Sequence, residues 1–301
     1  MSKKAARDNA ESLLAQTRGL LRRSGIRARK GLGQHFLIDE EVLGFISTAA
    51  GIGPGDVVME VGPGLGVLTR ELARQAGRVF AIELDDNLAA ILEKALASLG
   101  NVTVINRDVL DISPVGLLTE QMTNFPGIMT RPFRYKVVAN LPYYITAPVL
   151  RHFLEALVKP EIMVVMVQKE VAEAIVAKPG KRSLLSISVQ LYGEPSIVGD
   201  VPAHSFYPVP AVESAILRIE LFHEPAVALE DTESFFEVVR AGFSSARKQL
   251  GNALVDGLGL PKSEVLPLLE KANIDPMRRA ETLTVDEWIG LWRVYIAEKG
   301  G

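Results

Sequence analysis

The chain has 301 residues, 48% of them hydrophobic and 23% charged, which suits a soluble globular protein with one large domain and a smaller one. It contains no cysteine, so disulfides, zinc–cysteine sites and thiol catalysis are excluded. With 33 basic and 36 acidic residues the net charge is −3, which gives no global signal for nucleic acid. The longest apolar stretch, Ile162–Val167, is too short to span a bilayer, and the N-terminus lacks the apolar region of a signal peptide, so a cytoplasmic location is expected. Charge is unevenly spread: Arg22, Arg23, Arg27, Arg29 and Lys30 lie close together, with Arg247-Lys248 and Arg278-Arg279 near the other end. Such clusters are solvated surface by default and phosphate contacts only if other residues point to nucleic acid.

Leu13, Leu14, Leu20 and Leu21 recur among polar neighbours as far as Gly25, the pattern of an amphipathic N-terminal helix. Lys30-Gly31-Leu32-Gly33-Gln34-His35-Phe36-Leu37 follows as a loop whose glycines allow close backbone approach, and Asp39 is placed to cap a helix over Glu40–Ala50. From Val57 strands and helices alternate. Apolar runs at Val57–Val61, Val79–Ile82, Val102–Ile105, Val137–Ala139 and Ile162–Val167 predict buried strands, with helices near Gly66–Gln75, Asn87–Leu99, Pro114–Met122 and Ala147–Leu157. These βα repeats imply the α/β class, with a mostly parallel, doubly wound sheet. Pro126, Gly127 and Pro132 mark residues 123–134 as an exposed loop. Ile197–Val201 and Ala215–Leu221 predict closing strands, and helices are expected at Thr232–Ser244, Arg247–Leu258, Pro261–Ala272 and Thr284–Lys299. The expected organisation is an N-terminal helical extension (1–25), an α/β domain (26–222) and a small all-α domain (223–301).

Four of the predicted strands end in unusual residues. Glu60-Val61-Gly62-Pro63-Gly64-Leu65-Gly66 leaves the first strand, and its glycines let the backbone turn sharply against a ligand. The spacing is G-x-G-x-G rather than the G-x-G-x-x-G of a pyrophosphate loop, which favours a nucleoside ligand such as S-adenosylmethionine. Glu83 ends the second strand, where a carboxylate can accept both ribose hydroxyls, and Asp108 ends the third, where one can accept an adenine amine. Either acid alone reads more readily as a helix cap or surface charge. Asn140-Leu141-Pro142-Tyr143-Tyr144 ends the fourth: a carboxamide beside aromatic faces suits a planar, hydrogen-bonding ring. Alone it reads as a broken strand with a helix start at Thr146; with the glycine loop and the two acids on the same edge it reads as a second pocket beside a nucleoside pocket.

These residues resemble the ribosomal RNA adenine N6-dimethyltransferase family. Gly33-Gln34-His35-Phe36-Leu37, Glu60–Gly66, Glu83-Leu84-Asp85, Asp108-Val109 and Asn140–Tyr144 occur in the family's order. The likeness continues through Gln168-Lys169-Glu170-Val171-Ala172, Phe206–Ser214, Phe243–Lys248 and Arg279-Ala280-Glu281-Thr282-Leu283. It covers roughly residue 27 to the end and is strongest for the small-subunit branch, which dimethylates two adjacent adenines near the 3′ end of 16S rRNA. Departures are His35 where many members carry Asn, Val209 and Ala211 in place of a proline and a lysine, and Ala246 and Gly251 where basic residues are common.

The resemblance implies a Rossmann-like class I S-adenosylmethionine-dependent methyltransferase fold with no metal. It implies that His35 and Leu37 close over the methionine end of the cofactor, that Gly62 and Gly64 contact its amino-acid part, and that Glu83 and Asp108 hold its ribose and adenine. Asn140, with the Leu141 or Pro142 carbonyl, would orient adenine N6, and Tyr143 would stack on the extruded base, with Phe206 as a candidate second face that reads equally as a core residue. The implied partner is 16S rRNA within the immature 30S subunit, met by a monomer with no membrane contact. The 23S rRNA branch, a non-catalytic assembly factor on this fold and an NAD-dependent dehydrogenase stand as alternatives.

Overall fold

The computed structural model describes residues 12–25, 34–122, 132–224, 226–228, 231–245 and 247–299. Arg27, Arg29, Lys30, Gly33, most of the loop 123–134 and Ala246, singled out above, lie outside them.

Helix α1 (Leu13–Ser24) starts at Ser12, whose hydroxyl accepts the Ala15 N–H, and ends at Gly25 in the left-handed region. Strand β1 (Phe36–Leu37) leads to α2 (Glu40–Ala50), capped by Asp39, whose carboxylate accepts the Glu41 and Val42 N–H groups at 3.1 and 3.3 Å. The chain then alternates through β2 (Val57–Val61), α3 (Val67–Ala73), β3 (Arg78–Glu83), α4 (Asp86–Leu96), β4 (Val102–Asn106), α5 (Pro114–Met122), β5 (Lys136–Asn140), α6 (Thr146–Leu154) and β6 (Ile162–Gln168). It continues with α7 (Lys169–Ile175), α8 (Leu184–Gln190), β7 (Gly193–Val201), β8 (Phe206–Tyr207) and β9 (Ser214–Leu221).

Seven strands form one sheet in the order β4-β3-β2-β5-β6-β9-β7. β2 pairs in parallel with both β3 and β5, so successive connections leave it in opposite directions. The switch point therefore lies between the carboxyl ends of β2 and β5, where Gly62 and Asn140 emerge; this is where open α/β sheets bind ligands. Val58, Val79, Val138 and Val164 from four strands pack with Ile46 of α2 and Leu68 and Leu72 of α3 in the main core. Fully burying each such side chain contributes roughly 1.5–3 kcal/mol.

Two strands differ from expectation. β4 is half-buried rather than buried, because it is the edge of the sheet and has a neighbour on one side alone. The stretch after β7 is not simple loop: β8 pairs antiparallel with β1, Leu37 opposite Phe206 and Phe36 opposite Tyr207.

The chain divides into two compact units, Met1–Lys169 with Ile197–Arg218, and Glu170–Ser196 with Ile219–Gly301. The second holds α7, α8, α9 (Thr232–Phe243), α10 (Leu250–Leu258), α11 (Lys262–Lys271) and α12 (Val285–Lys299). Residues 170–196, grouped with the sheet from sequence, thus belong with the helices. Gly180 N–H donates to the Glu281 carbonyl at 2.7 Å and the Arg182 guanidinium to that of Leu283 at 3.0 Å. α12 starts on a reciprocal cap: Thr284 N–H donates to the Glu287 carboxylate at 2.7 Å and Glu287 N–H to the Thr284 hydroxyl at 3.1 Å. Among the described residues no helix is long and apolar enough to cross a membrane.

Candidate active site

A cavity of about 520 Å³ opens at the carboxyl edge of β2, β3, β4 and β5. Its walls include His35, Leu37, Gly62, Gly64, Glu83, Asp108, Asn140, Leu141, Pro142 and Tyr143. All the expected site residues except Phe206 thus meet at one place.

The glycine loop forms the floor. Gly62 and Gly64 have φ of 67° and 58°, in the left-handed region that costs other residues about 1–2 kcal/mol. A Cβ on Gly64 would sit 3.2 Å from the Phe36 ring, so the loop backbone runs directly under that side chain. Gly64 N–H donates to Glu83 Oε2 at 3.1 Å and Asp85 N–H to Oε1 at 3.0 Å, which ties the end of β3 to the loop. Burial pushes the Glu83 carboxyl above the ordinary carboxylate range, and those N–H bonds oppose the rise. Asp108 accepts the Leu110 N–H on Oδ1 at 2.9 Å, a bond that shapes its turn.

At the end of β5, Asn140 Nδ2 donates to the His35 carbonyl at 3.0 Å. A carbonyl only accepts, so this contact fixes the amide orientation and leaves Oδ1 without a protein partner among the described residues. Of the two backbone carbonyls expected beside it, that of Pro142 already accepts the Ile145 N–H at 3.1 Å, whereas that of Leu141 accepts none from the described residues. Asn140 Oδ1 and the Leu141 carbonyl are therefore acceptors at the end of β5 with no partner among the described residues. Thr146 is not a cap; its hydroxyl is buried and unpaired. Tyr143 shares a 2.8 Å hydrogen bond with the Ser214 hydroxyl, and its ring lies 6.0 Å from the His35 ring at 24°. Burial raises the Tyr143 phenol, so it stays protonated at neutral pH. His35 Nδ1 lies 2.7 Å from the Pro208 carbonyl, which requires the proton to be on Nδ1.

Phe206 departs from expectation: it is 1% exposed, packed in the main core with Leu37 and Val138, and does not line the cavity. Its pairing with Leu37 in the β1–β8 ribbon turns its ring inward. The ring that faces Tyr143 is His35.

Glu60 was not singled out by the sequence reading, yet it lines the cavity at 1% exposure with Oε2 unpaired, and burial pushes its carboxyl up to about 8. A charged residue inside the run Val57-Val58-Met59-Glu60-Val61 is the signal that could have marked it. Leu84 and Leu110, 60% and 40% exposed, follow Glu83 and Asp108 and present apolar walls beside them. A buried carboxyl with an unpaired oxygen at one end, that of Glu60, and exposed apolar walls at the other fit S-adenosylmethionine, which is cationic at its methionine end and aromatic at its adenine.

A mostly parallel sheet with a glycine loop, two acids and an Asn-Leu-Pro-Tyr strand end on one edge defines a class I S-adenosylmethionine-dependent methyltransferase fold. The family model for ribosomal RNA adenine dimethylases matches residues 25–292. The chain is 50% identical over 284 residues to a ribosomal RNA small subunit methyltransferase A of Dehalococcoides mccartyi, covering 94% of each, and 44% identical to that of Moorella thermoacetica, covering 92% and 96%. Among solved structures, the 23S rRNA methyltransferase ErmE is similar at a TM-score of 0.66 and 28% identity, over 86% of this chain and 98% of that one. A dimethyladenosine transferase from Plasmodium falciparum shares the fold at a TM-score of 0.73 and 24% identity, over 88% and 98%. The chain belongs to the ribosomal RNA adenine dimethylase family.

Proposed function

We propose that this protein dimethylates N6 of two adjacent adenines in the 3′-terminal hairpin loop of 16S rRNA, acting as a cytoplasmic monomer on the immature 30S subunit. The 50% identity to small-subunit methyltransferases across 94% of both chains carries this reading. S-adenosylmethionine supplies an activated methyl group on a sulfonium, so the chain needs to position its substrate rather than form a covalent intermediate with it.

In this reading Glu83 receives the ribose hydroxyls, Asp108 receives the adenine amine through Oδ2, and Leu84 and Leu110 cover the adenine faces. His35 and Leu37, with Gly62, Gly64 and Glu60, enclose the methionine end. Asn140 Oδ1 and the Leu141 carbonyl would accept the two N6–H bonds of the unmodified base, and one of them the single N–H left for the second transfer; each methylated N6 loses its proton to water. Such bonding removes the N6 lone pair from conjugation with the ring and turns it toward the methyl group. Both acceptors are fixed before the base arrives, so they stabilise the transition state without reorganisation at the moment of transfer. Tyr143, held by Ser214, supports one face of the extruded base. A loop adenine suits this cleft because unstacking it costs less than opening a duplex. The exposed Arg22 and Arg23 of α1 and Arg247 near α10 serve as phosphate contacts. Arg278 does not, since Glu287 and the Thr282 carbonyl occupy its guanidinium.

Transfer of labelled methyl groups to immature 30S particles, 50S particles and naked 23S RNA tests the substrate. Incorporation into 30S particles alone is expected; preference for 23S RNA would assign the chain to the other branch of its family.

A further inference from the structure

The cavity has an outer layer that the site residues do not account for. Leu21 of α1 is buried at 7% exposure in a small cluster with Phe36, Leu65 and Leu88, flanked by Leu20 and Tyr207. Phe36, Leu65 and Leu88 all line the cavity. They come from three separate elements: β1, the glycine loop and the first turn of α4. Phe36 lies over Gly64, whose N–H is bonded to Glu83, so the ring of this cluster packs directly on the loop backbone. α1 thus stands one side chain away from the cavity, with Leu21 as the only α1 residue in the buried centre of that cluster.

The helix is held by packing along one face. At 12 residues it is too short to be stable alone in water, so docking maintains it. Leu13, two turns earlier, packs against the main core instead, and the Arg18 guanidinium sits 4.9 Å from the centre of the Tyr207 ring. The inward face of α1 thus runs from Leu13, partly buried against the core, through Thr17 at 3% exposure, to Leu21 on the cavity wall.

We propose that α1 is the outer wall of the methyl-donor site and that Leu21 is a positioning residue. It holds Phe36, Leu65 and Leu88 against the glycine loop, and thereby sets affinity for the methionine end of the donor without touching it. This rests on the reading of the cavity as the S-adenosylmethionine site.

Calorimetry with S-adenosylhomocysteine on the full chain compares wild type with Leu21→Ala, the milder Leu21→Val, Leu21→Met and Leu13→Ala. Packing networks of this kind modulate distant binding by about 2- to 30-fold, which is the expected loss for Leu21→Ala. Leu21→Val should fall between it and wild type, and Leu21→Met should restore binding. Leu13→Ala loosens the same helix at its other end and should leave affinity within about twofold. In turnover, Leu21→Ala should raise KM for S-adenosylmethionine while kcat at saturation stays near wild type, which a general loss of folding would not produce. Equal affinity in wild type and both smaller Leu21 variants, or equal losses in Leu13→Ala and Leu21→Ala, would overturn the positioning role. Failure of wild type itself to bind would overturn the cofactor reading instead, and the proposal with it.

Discussion

A carboxamide offers one acceptor and two donors, and the end that faces a substrate decides what it recognises. At Asn140 the His35 carbonyl takes the donor end and leaves Oδ1 for an amine. Asn140→Ala should therefore lower kcat by about 10²–10³-fold, the usual loss on removing one preorganised polar group, while affinity for S-adenosylhomocysteine changes far less. Retention of full turnover would remove Asn140 from the mechanism. Tyr143→Phe keeps the ring and loses only the Ser214 bond, so it should cost about tenfold or less, a neutral hydrogen bond being worth about 0.5–1.5 kcal/mol, whereas Tyr143→Ala should raise KM for RNA strongly. Glu60 offers a pH test. Its folded carboxyl titrates near 8 rather than 4.5, so between those values the folded chain holds a proton that the unfolded chain has released. The contribution of Glu60 to stability then declines as pH rises from about 5 to 8. The melting temperature of Glu60→Gln should lack this decline; an unchanged slope would mean Glu60 is not the group responsible.

At the scale of elements, the glycine loop is where backbone conformation and ligand approach coincide. Gly64→Ala places a Cβ in the left-handed region and 3.2 Å from Phe36, so about 1–2 kcal/mol of stability should be lost, seen as a fall of roughly 2–8 °C in melting temperature, together with weaker cofactor binding. The helical unit has its own joint at the start of α12. Glu287 is pushed down to about 2 by the Arg278 guanidinium, with the Thr284 N–H helping. Its stabilising effect is present above the ordinary carboxylate range and lost as pH falls toward 2; because the pair is partly exposed, Glu287→Gln should cost only about 1 kcal/mol at neutral pH. Strands and most helices of the sheet were legible in the sequence because apolar runs and helical periodicity are local signals. β4 misled because an edge strand carries the same Val and Ile residues as a buried one. The β1–β8 ribbon was illegible for the opposite reason: two residues paired across 170 positions leave no periodicity to read. That ribbon is also why Phe206 points into the core.

For the whole molecule, the near-neutral balance of charge places RNA affinity in local patches rather than in a general field. Binding to rRNA should accordingly weaken with salt along a shallow slope set by a few phosphates, and charge-removing changes at Arg22, Arg23 and Arg247 should each flatten it by about one unit. The candidate site was largely legible before any coordinates, since each motif sits at a strand end and open α/β sheets collect those ends on one edge. What the sequence left undecided was which lone pairs remain free. The choice of Leu141 over Pro142 and the displacement of Phe206 depend on hydrogen bonds and packing that spacing does not encode. Glu60 stayed hidden because a carboxyl within an apolar run reads as a sequence irregularity until its cavity is seen.

The most direct test is mass spectrometry of the 3′-terminal fragment of 16S rRNA after immature 30S particles are incubated with S-adenosylmethionine and either the wild-type chain or Asn140→Ala. Two adjacent N6,N6-dimethyladenines with wild type, and almost none over the same period with the variant, is the predicted result. An unmodified fragment with wild type, or equal dimethylation by both chains, would contradict the account.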